Sequence, residues 1–312
     1  MNHHAGSIEN ALRGVTAVLV TPYREGQLDV GTLADLASRV DRAGIHAITA
    51  LGNTAEVFQL TRAERSAYIE ATADAAQDAL LVAGVAGSLA ESLADIDVAG
   101  SQGYRAAMLH EPVDPFGDSQ GLLEFYLQAA DRTALPLVLY LRTSRLAGPA
   151  LRDLVRHPSI AGVKYARPGI DDLTHALADD AGADCVWVNG SAESRAPEFL
   201  ELGLTGFTSG IANARPDIAL GVHRALVSRD RAALDRALAL AAPIERLRAD
   251  GHGKYNVSVL KEMLRAIGLE TGPVRPPHSP LPPRERDELH RVLAGTRVGI
   301  AQESTGSEPP GR

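Results

Sequence analysis

Short apolar runs recur along this chain, each followed by a turn and then by an amphipathic stretch with helical spacing. The runs occupy residues 15–20, 45–51, 80–86, 106–109, 137–141, 160–166, 185–188 and 204–208. They are apolar nearly throughout, a pattern that suits parallel strands covered on both faces. Helix starts are marked between them. Thr61-Arg62-Ala63-Glu64 and Ser88-Leu89-Ala90-Glu91 each read as a capping box. Gly44, Gly103, Gly182 and Gly203 stand where helices are expected to end. Eight such units predict an α/β fold. A closed (β/α)8 TIM barrel is preferred to an open doubly wound sheet. The strand count fits it, and no Gly-x-Gly-x-x-Gly turn follows the first strand.

The expected organisation is an N-terminal extension over residues 1–13 and a barrel over 14–228. A C-terminal helical appendage over 229–295 would pack on the barrel, and a disordered tail is expected over 296–312. Helical segments in the appendage are read at about 230–248, 258–267 and 284–293, separated by Gly251–Gly253 and a proline-rich stretch at 273–283. A chain of 312 residues is long for one average domain, but barrels of about 250 residues or more form one.

Composition narrows the partners. A formal net charge of −8 argues against nucleic acid and anionic membranes, though not against a small anion held by local arginines. Cys185 is the only cysteine, so no intramolecular disulfide can form. Its apolar surroundings, Cys185-Val186-Trp187-Val188, suggest a buried structural thiol. No run approaches ~18 apolar residues, and the opening MNHHAGSIENALRG lacks a basic region followed by an apolar stretch. A soluble, cytoplasmic protein is expected.

In a barrel of this type the chemistry gathers at the C-terminal ends of the strands. Those ends carry Thr21, Asn53, Thr54, Glu56, His110, Glu111, Tyr140, Arg145, Lys164, Asn189 and Ser209. Among only three lysines, Lys164 alone lies inside an apolar strand. Burial there lowers an amine's pKa and frees it to attack a carbonyl, which a guanidinium cannot do. The plainer reading is a lysine paired with a carboxylate inside the barrel. Tyr140 ends the preceding strand, close enough in a barrel to carry protons for that amine, or else it is simply core. Gly52-Asn53-Thr54-Ala55-Glu56 offers a tight turn whose N–H and hydroxyl groups could hold a carboxylate. No His, Cys or carboxylate cluster has metal-ligand spacing.

Together these residues resemble the dihydrodipicolinate synthase / N-acetylneuraminate lyase family. The likeness runs from about Gly14 to Leu293. Val20-Thr21-Pro22-Tyr23 looks like the family's first strand end. Gly52-Asn53-Thr54-Ala55-Glu56 resembles its carboxylate loop, Tyr140 with Arg145 its tyrosine strand, and Gly162-Val163-Lys164 its lysine strand. Gly206-Phe207-Thr208-Ser209-Gly210 and Ala212-Asn213 resemble the eighth-strand loop, and Val274-Arg275-Pro276-Pro277 a C-terminal stretch. The resemblance implies a lyase in which Lys164 forms a Schiff base with a 2-oxo acid and Tyr140 relays protons. Asn53 and Thr54 would bind the acid's carboxylate, Thr208 and Ser209 would contribute to substrate binding, and Arg145 would bind a distal carboxylate. It also implies no metal or organic cofactor, and assembly as a homotetramer built from dimers.

The chain departs from the synthases at three places. Asn53 replaces the first of their paired threonines, Pro112-Val113-Asp114 stands where they carry Pro-Tyr-Tyr, and Leu141 replaces an asparagine. His110 and Glu111 instead offer an acid/base or hydroxyl-binding pair, or merely a solvated loop. These changes point toward aldol cleavage or dehydration of a 2-keto-3-deoxy sugar acid or a pyruvate-derived substrate. The alternatives are a dihydrodipicolinate synthase condensing pyruvate with aspartate semialdehyde and a non-catalytic barrel that binds a sugar acid.

Overall fold

The structure, a computed structural model, describes residues 7–178 and 185–303. Eight strands form the barrel: β1 (Val15–Val18), β2 (Ala47–Ala50), β3 (Leu80–Val85), β4 (Ala106–His110), β5 (Leu137–Leu141), β6 (Ile160–Tyr165), β7 (Val186–Asn189) and β8 (Phe207–Ser209). All neighbours pair in parallel, and β8 returns to β1 to close the ring. Each strand falls on one of the eight apolar runs, so the (β/α)8 barrel expected from the sequence is the fold.

The runs look uniformly apolar because they serve two different layers. One set of alternating residues, including Val82, Met108, Val138, Tyr140, Val186 and Val188, fills the barrel interior. The other set, including Leu81, Leu109, Leu139, Val163 and Trp187, packs outward against the surrounding helices. These helices are α2 (Val30–Arg42), α3 (Arg62–Ala75), α4 (Leu89–Ser101), α5 (Ser119–Arg132), α6 (Gly148–Val155), α7 (Asp171–Ala178), α8 (Ala196–Leu200) and α9 (Pro216–Ser228). Both predicted capping boxes are present, at the starts of α3 and α4. Gly182 lies outside the described residues.

Three features differ from the sequence reading. Residues 8–12 form a short helix, α1 (Ile8–Leu12), whose Ala11 and Leu12 pack onto Ala47, Leu80, Ala106 and Val138. They close the floor of the barrel, at the end opposite the strand C-termini. A hairpin at Tyr23–Arg24 and Gln27–Leu28 follows β1, turning through Glu25 and Gly26, both with positive φ. The appendage consists of α10 (Arg231–Gly253), α11 (Asn256–Arg265) and α12 (Pro283–Glu303). Thus α12 runs past Gly295, where disorder was expected to begin. Gly295 and Gly299 each cost the helix only about 1 kcal/mol, and no proline follows until Pro309. Residues 304–312 lie outside the described residues. Near its end α10 breaks at Asp250, Gly251 and His252, which turns His252 and Gly253 toward the barrel mouth.

Candidate active site

Register brings the reactive side chains together. On adjacent strands His110 pairs with Tyr140, and Tyr140 pairs with Lys164. Residues opposite one another in register share a face, so all three side chains follow the inward set at the C-terminal end of the barrel. Lys164 Nζ lies 4.0 Å from the centre of the Tyr140 ring. The Tyr140 hydroxyl accepts a hydrogen bond from Asn53 Nδ2 at 3.3 Å. Gly190, after β7, makes room for the lysine. A Cβ there would come within 2.9 Å of Lys164 Cγ and of Ala166 Cβ.

Lys164 has no ion pair among the described residues. Burial depresses its pKa to about 7, with a further lowering from Arg142. The amine is therefore substantially neutral, and nucleophilic, near neutral pH. The second buried lysine, Lys261, contrasts with it. Lys261 Nζ lies 3.1 Å from Glu56 Oε1 and donates to the Pro273 carbonyl at 2.9 Å. Both contacts occupy the amine. Burial raises the Tyr140 phenol above its ordinary value, partly offset by Arg142 and the Asn53 hydrogen bond. The phenol stays protonated at neutral pH. With Asn53 donating to its oxygen, its own proton is free for another acceptor.

The cavity over these groups has two lobes. The first, of about 330 Å3, is lined by Asn53, Thr54, Tyr140, Lys164, Gly190 and Thr208, among others. The second, of about 460 Å3, includes His110, Glu111, Pro112 and Arg145. Asn53, Phe58, Tyr140 and Arg142 line both. His110 is buried, and desolvation first, then Lys164, lowers its pKa to about 3 despite a hydrogen bond to the Leu51 backbone. It is a neutral imidazole whose Nε2 has no partner.

Several residues singled out in the sequence are engaged in holding loops. Glu111 accepts from the Arg142 and Thr143 backbone N–H groups and the Thr143 hydroxyl, and pairs with Arg145 at 2.8 Å. Burial pushes its carboxyl upward, but these donors outweigh it and the net shift is downward. Arg145 also donates to the Pro112 carbonyl at 2.9 Å. Ser209 donates to Glu193 and accepts from the Ala212 N–H at 2.9 Å, which occupies its hydroxyl. Thr21 is bound to the Ala55 carbonyl, and Asn189 to the turn at Ser191 and Ala192. Glu56 accepts from the Arg275 N–H at 2.7 Å as well as pairing with Lys261, and it adopts φ +57°. It fixes the Asn53–Thr54 loop from behind. Burial pushes the Cys185 thiol up to about 12. Among the described residues no group of three or more His, Cys, Asp or Glu could hold a metal ion, and no helix is long and apolar enough to cross a membrane.

Residues 11–295 match the family model described as the dihydrodipicolinate synthetase family. The chain belongs to this family. With it comes membership of the lyases. A protein named probable 5-dehydro-4-deoxyglucarate dehydratase from Streptomyces griseus is 30% identical over 93% of this chain and 95% of its own length. A 4-hydroxy-tetrahydrodipicolinate synthase from Haloarcula marismortui is 26% identical over 90% of this chain and 92% of its own. The crystal structure of dihydrodipicolinate synthase from Oceanobacillus iheyensis superposes with a TM-score of 0.89 at 26% identity, covering 93% of this chain and 98% of that one. Within the dihydrodipicolinate synthetase family frame, Arg142 is the residue the sequence reading passed over. It lies two positions after Tyr140, it is exposed, and it lines both lobes. Its signal was a cation beyond a strand end, overshadowed by Arg145, whose spacing matched the family. Arg248, His252, Asn256 and His278 also line the first lobe from the appendage. Their distance in sequence from the strand ends hid them.

Proposed function

We propose that this lyase forms a Schiff base between Lys164 and a 2-oxo acid, and that its reaction is dehydration of a 2-keto-3-deoxy sugar acid. The observation that carries the reading is the buried amine of Lys164, unpaired and 4.0 Å from the Tyr140 ring in a cavity at the barrel's C-terminal end. The amine attacks the ketone carbon, and its nitrogen's electron pair forms the C–N bond. The resulting hydroxyl leaves as water after taking a proton from the Tyr140 phenol, giving the protonated imine. The imine withdraws electrons from the adjacent carbon, and the Tyr140 phenolate left by the first step takes up that carbon's proton. The electron pair released expels the hydroxyl on the next carbon, which leaves as water with the proton returned by Tyr140. Asn53 keeps the Tyr140 hydroxyl oriented, and the Thr54 loop with Thr208 offers donors for the acid's carboxylate.

Dehydration is favoured over condensation with aspartate semialdehyde by the Streptomyces relative's name and by Asp114 standing where the synthases carry the second tyrosine of Pro-Tyr-Tyr. Aldol cleavage would use the same imine and is separated from dehydration by its products. We further propose assembly as a homotetramer, supported by the family resemblance, and a cytoplasmic setting, with which the single, buried cysteine agrees. Light scattering on the purified chain reads the assembly directly.

The test is borohydride reduction in the presence of pyruvate, followed by mass spectrometry of the peptides. The expected outcome is an adduct on Lys164 that disappears in Lys164→Ala. A folded protein that binds pyruvate but yields no adduct would sink the Schiff-base reading and favour a binding-only barrel.

A further inference from the structure

Two buried acids meet behind the cavity, and neither lines it. Glu193 sits fully buried in the turn Glu193–Arg195 after β7, and Glu245 is buried on α10. Glu245 accepts from the backbone N–H groups of Glu193 and Ser194, each at 2.8 Å. Glu193 Oε1 accepts from the Ser209 hydroxyl on β8, while its Oε2 is buried without a donor among the described residues. The two carboxyl groups are also hydrogen-bonded to each other. Two ionised carboxylates offer only acceptors, so such a contact needs a proton on one of them. Burial first, then the Glu193 charge and this hydrogen bond, push the Glu245 carboxyl far above the ordinary carboxylate range, against Arg248 and the Ser194 N–H. Glu193 and Arg248 supply the leading charges that act on Glu245. From β8 comes the uncharged Ser209 hydroxyl, and from α11 the uncharged Asn256 amide, which accepts from Arg248 at 3.1 Å.

This contact ties together three walls of the lobe over Lys164. The turn that Glu245 holds follows Ala192, at φ +64°, and both Gly190 and Ala192 line the lobe. Ser209 follows Thr208, another lining residue, and accepts the Ala212 N–H at 2.9 Å. Three positions beyond Glu245, Arg248 lines the lobe from α10. It packs so closely on β8 that a Cβ on Gly210 would come within 2.5 Å of Arg248 Nη2. We propose that Glu193 and Glu245 share one proton at neutral pH, and that this proton fastens α10 to the ends of β7 and β8, making the two acids positioning residues for the 2-oxo acid lobe. Loss of the proton leaves two like charges in buried contact, where their repulsion is poorly screened. The α10 wall, with Arg248 and the kinked segment at His252, then parts from the strand ends. The lobe loses affinity for its ligand, while Lys164 on β6 keeps its chemistry.

This inference rests on the cavity being a 2-oxo acid site, but half of its test does not need the imine. Infrared difference spectra of the full-length protein read the proton directly. The expected signal at neutral pH is the carbonyl stretch of a buried protonated carboxyl, fading toward about pH 10 and absent from Glu245→Gln. Borohydride trapping over a range of pyruvate concentrations, from about pH 7 to about pH 10, separates affinity from rate. In the wild type the half-saturating concentration should climb on the alkaline side, about tenfold per pH unit once the shared proton is lost. The limiting trapping rate should stay level there, because the Lys164 amine is already neutral. In Glu245→Gln, and separately in Glu193→Gln, only one charge can form, so the climb should vanish. Both replacements keep the side chain's size, and circular dichroism checks that they fold. A missing carboxyl band, a wild type with no alkaline climb, or a climb that survives Glu245→Gln overturns the inference and leaves the Schiff-base reading standing. No adduct at any pH would sink the Schiff-base reading instead, and the carboxyl band would still decide the shared proton.

Discussion

At the scale of single residues, the site depends on one amine having its charge removed by its surroundings. Lys164 is held near a pKa of about 7 first by burial and then by Arg142. The neutral amine is the nucleophile, so the rate of imine trapping should rise with pH through about 7 and level off above it. In Arg142→Gln the lowering influence of the guanidinium is gone, the lysine pKa moves up, and the rise should shift to higher pH. Trapping rates with pyruvate, followed from about pH 6 to about pH 9, check both. A rise at the same pH in both proteins would show that Arg142 does not act on the amine. The lysine itself was legible in the sequence because charge in the middle of an apolar run is a conspicuous break in pattern. Arg142 was not, because an arginine beyond a strand end is ordinary, and only the side-chain contacts show that Arg145 is occupied and Arg142 is not.

At the scale of elements, the carboxylate loop after β2 is shaped by a helix more than two hundred positions along the chain. Lys261 of α11 meets Glu56 inside the structure, with the two side chains 5% and 0% exposed. The backbone N–H of Arg275 binds the other oxygen of Glu56, while the Arg275 guanidinium pairs with Glu64 at the start of α3 and lies 4.2 Å from the centre of the Tyr23 ring. Removing one partner of such a buried pair leaves an uncompensated charge. Lys261→Met should therefore destabilise the fold by about 3–5 kcal/mol, and Lys261→Met combined with Glu56→Gln should recover much of that loss. Denaturant midpoints of the two variants measure the difference. Equal loss in both would mean that the pairing matters less than the packing. The eight strands were readable because a repeated apolar period survives in any fold that buries both strand faces. Loop-to-helix couplings such as Glu56 with Lys261 were not, since a contact between residues far apart in the chain leaves no period in sequence. The hairpin at Tyr23–Leu28 was missed for a related reason: two-residue strands are too short to show alternation.

At the scale of the whole molecule, the barrel has a chemical mouth and a structural floor, and the floor carries its own pH sensitivity. There α1 closes the interior, and the chain leaves it through Arg13 and Gly14 into β1. His46 Nδ1 accepts a hydrogen bond from the Val15 N–H at 3.0 Å, and the His223 ring lies 3.1 Å from the Arg13 carbonyl oxygen. The two imidazoles stand edge-on at 4.7 Å. A Cβ on Gly14 would come within 2.4 Å of the His46 ring, so the backbone and ring are closely fitted. Burial lowers the pKa of both histidines, His46 further through His223, and His223 further through Arg224 against the hydrogen bond that His223 donates to the Arg13 carbonyl. A histidine with a depressed folded value favours the unfolded chain once protons are available. Its contribution to stability is full above the unfolded value of about 6.5 and falls as pH drops through the lower folded value. Protonation of His46 would also remove its acceptor for Val15. The thermal midpoint should thus decline as pH is lowered below about 6.5, and His46→Gln should flatten that decline. Deleting residues 1–13 strips Ala11 and Leu12 from the interior and should cost about 3 kcal/mol at neutral pH, in proportion to the apolar surface uncovered. Neither change touches the cavity at the mouth, so Lys164 in the folded fraction should still trap pyruvate. Loss of trapping in step with loss of the floor would instead mean that the barrel transmits strain from one end to the other.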